Sequence, residues 1–180
     1  SYTVRIKDGK VFDTTSEDIA KKEGIFDEKK IYKSLPIVIG ESHVVNGLDD
    51  ILKEMKVNEQ RTVEIPPEKA YGHRDQNLIR LIPMGVFKKQ RINPIPGMPI
   101  ELDGKLAKIQ TVAGGRVRVD FNSELAGKTV VFDVKLEEKA KSDEEKVKYL
   151  IERSFNNSKD FEIKLKPKGI EIILPEVASR

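Results

Sequence analysis

Residues 40–59, GESHVVNGLDDILKEMKVNE, are the stretch whose reading commits the chain to a fold. Leu48, Ile51, Leu52 and Met55 recur at i, i+3, i+4 and i+7, which puts them on one face of a helix. Asp49, Asp50, Lys53, Glu54 and Lys56 take the other face, acids ahead of bases, the order a helix dipole favours. The neighbouring apolar segments predict strands. A lone amphipathic helix among strands has one surface able to cover its stripe, the concave face of a twisted sheet. Val44 and Val45, which lead into the helix, are then expected where helix and sheet meet.

Upstream, Tyr2, Val4 and Ile6 alternate with Thr3, Arg5 and Lys7, and Asp8-Gly9 turns the chain into a return strand over 11–14. Opening in a strand with no initiator Met or leader is read as a sign that an upstream segment is missing or was cut away. Ser16 caps a short helix over 16–23 with Ile19 and Ala20 as its apolar side, and Gly24 ends it. A loop over 30–36 leads to an expected strand at Ile37, Val38 and Ile39, broken by Gly40. Downstream, residues 61–65 predict another strand, stopped by Pro66-Pro67, and the next turn places Tyr71 before Gly72.

From His73 the texture changes. Pro83, Pro94, Pro96 and Pro99 punctuate short strands over 78–82, 100–102, 106–112 and 116–121, with turns at Asp103-Gly104 and Gly114-Gly115. Residues 129–137 resume apolar alternation suited to the sheet begun before residue 72. The organisation expected is a host domain of 1–72 and 123–138, a small β domain inserted at 73–122, and a small C-terminal domain at 139–180. In that last part Ser142 and Glu145 make a capping box for a helix over 143–155 with Val147, Leu150, Ile151 and Phe155 apolar. Alternation over 161–165 and 170–174 around Pro167-Lys168-Gly169 predicts a hairpin. About 40 residues bury little surface, so this part is expected to dock, to dimerise or to begin a longer domain.

The 180 residues carry 33 basic and 30 acidic side chains, a net charge of +3 spread over mixed sequence. That pattern predicts a solvated surface rather than a nucleic-acid footprint. No apolar run has the length of a membrane span and no leader pattern opens the chain, so a cytoplasmic protein without a membrane partner is expected. The absence of Cys removes disulfides and thiolate chemistry. His43 and His73 are too few to predict a metal site.

Four pieces in register carry a family likeness: Tyr2 with DGKVFD (8–13), IGESHVVNGL (39–48), PEKAYG (67–72) and LAGKTVVFDV (125–134). On these the chain resembles the FKBP-type peptidyl-prolyl isomerases of the archaeal and SlyD-like group, over most of residues 1–138. The resemblance implies an α+β fold, an antiparallel half-barrel sheet wrapped on one helix, with an insert-in-flap domain between Gly72 and Leu125. The helix and hairpin at the C-terminal end look like the extra domain of long-chain archaeal members. A pocket lined by Tyr2, Phe12, Asp13, Val44, Val45, Leu48, Tyr71 and Phe132 is implied, with Leu35 or Ile37 as a further wall. Leu48 stands where many single-domain members carry Trp, so a wider or shallower pocket is expected.

The implied activity is acceleration of X-Pro isomerisation in unfolded or partly folded polypeptides, without cofactor or metal. By the same resemblance Val45 N–H and the Tyr71 hydroxyl bind carbonyls flanking the proline, and Asp13 polarises the pocket or orients Tyr2. Taken without the resemblance, the Phe and Val residues read as ordinary core. In the insert, Leu81, Ile82, Met84, Phe87, Ile92 and Met98 read either as a groove for unfolded chains or as the insert's own core. The competing functional class is a non-enzymatic holdase or assembly module that keeps the same fold.

Overall fold

The structure, a computed structural model, describes residues 1–166 and 169–174. In chain order the elements are β1 (Tyr2–Ile6), β2 (Val11–Thr14), α1 (Glu17–Lys22), α2 (Asn46–Glu54), β3 (Gln60–Ile65), β4 (Ile79–Pro83), α3 (Met84–Lys89), β5 (Pro99–Leu102), β6 (Lys105–Ala113), β7 (Arg116–Asp120), β8 (Val130–Lys135), α4 (Asp143–Phe155), β9 (Glu162–Lys166) and β10 (Gly169–Ile173). The chain divides into two units, Ser1–Ala70 with Thr129–Arg180, and Tyr71–Lys128. Among the described residues no helix is long and apolar enough to cross a membrane. The protein is α+β, with antiparallel sheets and few helices, the class that the resemblance implies.

In the first unit the sheet order is β2-β1-β8-β3, all antiparallel. β8 is paired on both sides, and its β-branched sequence VVFDVK buries Val130, Val131, Phe132 and Val134, as a central strand requires. The register sets Asp13 opposite Val4, Val4 opposite Phe132 and Phe132 opposite Val63. Residues paired across strands share a face, so these four form one row.

Asp49, expected on the solvent face of α2, is buried and Ile51 is only half-buried; the rest of the stripe packs as its periodicity predicts, with Leu48, Leu52 and Met55 buried. Each contributes about 1.5–3 kcal/mol through removal from water. Gly47 brings the helix down on the sheet, because a Cβ there would stand 2.4 Å from Ile65 Cγ2. Ile65 pairs with Val130, two residues from Phe132, which places α2 over the face that carries the row.

The expected strand at Ile37, Val38 and Ile39 is not formed. Val38 N–H donates to His43 Nδ1 at 3.0 Å, and Gly40 N–H donates to the Asp49 carboxylate at 3.0 Å. These donors close the segment onto the start of α2 instead of joining a ladder.

The capping serines act as read: Ser16 Oγ accepts from Ile19 N–H at 3.4 Å and Ser142 Oγ from Glu145 N–H at 3.2 Å. α4 buries Val147 and Ile151 but leaves Leu150 and Phe155 exposed, a narrower stripe than its sequence predicts. Lys33 pairs with Glu152 and Arg153 Nη1 donates to Pro36 O at 3.1 Å, fastening α4 to the segment before Ile37. The Lys33 contact holds the Glu152 carboxyl below its usual range. β9 and β10 pair as a hairpin; Pro167, Lys168 and Pro175 lie outside the described residues.

The second unit holds a sheet of order β4-β7-β6-β5. Its core is Phe87, Ile100, Leu102, Ala107, Ile109, Val117 and Val119. α3 carries Phe87 into this core and was not expected from sequence, since six residues are too few to display a helical period. The two ends of the unit are bonded together. Asp75 N–H donates to Asn122 Oδ1 at 2.8 Å, Asn122 Nδ2 to Asp75 O at 2.9 Å, and Gly127 N–H to Gly72 O at 2.7 Å. Adjacent ends are what an insertion needs if the host sheet is to continue across it.

Candidate active site

Three of the sequence-predicted pocket residues are joined by direct contacts on the face that α2 covers. The Tyr2 hydroxyl donates to Asp13 Oδ2 at 2.6 Å. The Tyr2 ring lies 6.1 Å from the Phe132 ring, tilted by 50°, a separation at which edge and face attract. Phe132 is buried at 4% exposure and forms the floor of this cluster. Asp13 Oδ1 also accepts Thr14 N–H at 2.9 Å.

Phe12 is placed by a bulge. Asp13 pairs with Val4 and Val11 with Arg5, which leaves Phe12 as the extra residue of β2. A bulge releases its residue from strict alternation and re-aims the side chain. Phe12 is 38% exposed, an apolar ring partly open to solvent beside the cluster.

The α2 end is built differently. Val45 is the N-cap and offers no side-chain cap, although Val is among the least suitable residues there. Its carbonyl accepts Leu48 N–H at 2.9 Å and Asp49 N–H at 3.0 Å. Among the described residues the Val45 N–H has no hydrogen-bond partner. Val44 and Val45 are half-buried, and Leu48 is 3% exposed. Leu48 therefore belongs first to the packing of α2 on the sheet. Asp49, buried one residue later, is held below its usual range by the Gly40 N–H and then by Lys53 at 2.9 Å. This fixes the 38–45 segment that presents the two valines. His43 braces the same segment through Nδ1.

Tyr71, 37% exposed, is the first residue of the second unit. Leu35 is 43% exposed and Ile37 is half-buried. Of the insert residues, Leu81 is 61% exposed, while Ile82, Met84, Ile92 and Met98 pack partly buried against the core. Phe87 is fully buried at the centre of that core, so its side chain is not available to a client. Among the described residues no group of three or more His, Asp or Glu is placed to hold a metal ion.

Sequence reading missed Lys30. Its ammonium pairs with Asp13 and donates to Thr14 O at 2.9 Å. It lies seventeen positions after Asp13, beyond α1 and on irregular chain, and no periodic pattern signals such a contact.

Residues 80–125 match the family described as FKBP26, IF domain. The short-type peptidyl-prolyl cis-trans isomerase of Methanocaldococcus jannaschii is 40% identical over 129 residues, which cover 72% of this chain and 82% of that protein. The chain belongs to the FKBP-type peptidyl-prolyl cis-trans isomerases. Within this FKBP-type family it is also similar to SlyD of Aeromonas hydrophila, 30% identical over 139 residues, and of Pasteurella multocida, 31% identical over 124. The match spans 76% and 66% of this chain but only 59% and 61% of those two relatives.

Proposed function

We propose that the first unit accelerates cis-trans isomerisation of X-Pro bonds in unfolded or partly folded polypeptides. The observation that carries this reading is the cluster of Tyr2, Asp13 and Phe132 on the α2-covered face, in a chain of the FKBP-type family. Uncatalysed X-Pro rotation takes tens to hundreds of seconds because the amide must lose its resonance. The planar amide is strongly dipolar and the twisted one less so. An apolar, dry surface made by Phe12, Val44, Val45, Leu48 and Phe132 disfavours the planar form relative to the twisted one, and each ~1.4 kcal/mol of that difference is a tenfold gain in rate.

The Val45 N–H is a donor for a carbonyl flanking the proline. Asp13 holds the Tyr2 phenol against Phe132 and transfers no proton. Catalysis of a proline-limited refolding reaction tests this function.

The second unit is proposed to hold unfolded segments. Leu81 and Leu106, 61% and 79% exposed, and Ile95 at 57% support this, with the partly buried Ile82, Met84, Ile92 and Met98 beside its core. The C-terminal helix and hairpin are proposed to pair two copies of the chain. Exposed Leu165, Ile170, Ile172 and Ile173 support that pairing, and sedimentation across a concentration series tests it. A cytoplasmic location is kept as a proposal, which fractionation of cells that make the protein tests.

A further inference from the structure

We propose that Lys30 is a positioning residue of the isomerase pocket: its ammonium orients the Asp13 carboxylate so that Asp13 in turn fixes the Tyr2 phenol. The inference rests on the function proposed above and extends it to a residue outside the pocket wall. The two oxygens of Asp13 are divided between partners. Oδ1 takes the Lys30 ammonium and Thr14 N–H at 2.9 Å, and Oδ2 takes the Tyr2 hydroxyl at 2.6 Å. A carboxylate turns easily about its last torsion. Holding Oδ1 from two sides leaves Oδ2 one direction to face, and that direction sets where the phenol sits beside Phe132.

Lys30 belongs to no helix or strand, yet its segment is closed upon itself. The rings of Phe26 and Tyr32 stack at 5.5 Å and 14°. Lys21 of α1 stands 5.0 Å over Phe26, and Lys30 stands 5.3 Å over Tyr32. Asp27 N–H donates to the Tyr32 hydroxyl at 2.9 Å, Lys29 N–H to Asp27 Oδ1 at 2.9 Å, and Lys30 N–H to Asp27 O at 3.1 Å. The ammonium is thereby delivered to a fixed point. Its third anchor, Thr14 O at 2.9 Å, lies on the strand that carries Asp13. The side chains of Lys30 and Asp13 are 36% and 35% exposed, so water and salt screen the pair and a moderate effect is expected. A staple that only stabilised the 26–32 segment would act on the fold whether or not Asp13 were present; a positioning residue acts only through Asp13.

The experiment measures isomerase kcat/KM on a proline-containing peptide for Lys30→Met, Asp13→Ala and the double variant, each normalised to its folded fraction from thermal unfolding. Ring resonances of Tyr2 are recorded by NMR on the same unliganded samples. Lys30→Met is expected to lose about threefold to tenfold with Asp13 present and less than about twofold in the Asp13→Ala protein. Its Tyr2 ring signals are expected to move in the direction seen for Asp13→Ala. An unchanged rate, or a loss of the same size with Asp13 absent, overturns the proposal. Should the unmodified protein show no isomerase activity, the proposed function fails on that result. The ring shifts then decide the Lys30 contact separately, and unmoved Tyr2 signals in Lys30→Met overturn it.

Discussion

The Tyr2 hydroxyl reaches across the β1–β2 pair to Asp13 Oδ2 at 2.6 Å, although Tyr2 is not the cross-strand partner of Asp13. Asp13 faces Val4, two residues further along β1 on the same side of the sheet. The bond is therefore diagonal, and the length of the phenol ring spans it. It turns a carboxylate and an aromatic ring into one rigid wall beside Phe132.

Asp13→Ala is expected to lower isomerase activity about tenfold, ~1.4 kcal/mol of barrier, while the domain stays folded. Tyr2→Phe keeps the ring against Phe132 and loses only the hydrogen bond, so about threefold is expected. Peptide isomerisation rates read beside thermal unfolding curves check both; full activity in Asp13→Ala removes the role given to it.

Gly47→Ala tests how α2 is seated. The added methyl would meet Ile65 Cγ2 at 2.4 Å, with Lys69 Cβ and O at 3.2 and 3.3 Å. Ile65 is 1% exposed and has no room to yield. Overpacking of about 1–3 kcal/mol is expected to outweigh the ~1 kcal/mol that Ala offers a helix over Gly. Urea denaturation measures the balance, and a more stable variant would show that α2 stands further from β3.

Asp49 gives the acid side of the stability curve a specific contributor. The Gly40 N–H and Lys53 hold its carboxyl below the ordinary value of 3.8. A carboxyl depressed in the folded state binds its proton more readily when unfolded. Its stabilisation is complete above that ordinary value and drains away as pH falls through the folded one. Asp49→Asn is expected to lower the urea midpoint at pH 7 and to flatten its decline below about pH 4. An unchanged acid limb would mean that Asp49 is not the group responsible.

Replacing residues 73–122 by a short linker separates the two proposed activities. Aggregation suppression and turnover on protein substrates are expected to fall much further than turnover on short peptides. Equal loss on both would deny the insert a client-binding role.

The period of residues 48–55 was enough to predict α2 and its buried stripe, because helix and strand periods differ and both are short. The hairpin, the caps at Ser16 and Ser142 and the strands of the insert were legible for the same local reason. The missing strand at 37–39 shows the limit of such reading. Its composition suits a strand, but His43, five residues on, takes the Val38 N–H, and Asp49 takes the N–H of Gly40 just after it. Phe87 shows a second limit: an apolar residue in a Met- and Ile-rich stretch does not reveal whether it faces core or client. Val45 entered the candidate site through the family resemblance alone; that it is an apolar N-cap, a position that works against local stability, emerges only from the structure. Lys30 was illegible because an ion pair between distant segments leaves no periodic trace.

The central claim is that the surface formed by Tyr2, Phe12, Asp13, Val44, Val45, Leu48 and Phe132 catalyses prolyl isomerisation. It is tested most directly by the refolding of a protein whose slow phase is a prolyl bond, followed with catalytic amounts of this chain, alongside aggregation of a client without a proline-limited step. The account predicts that the slow phase accelerates in proportion to the amount added and that Asp13→Ala loses most of the acceleration. Suppressed aggregation with an unchanged slow phase would contradict it and leave a holdase that keeps the FKBP fold.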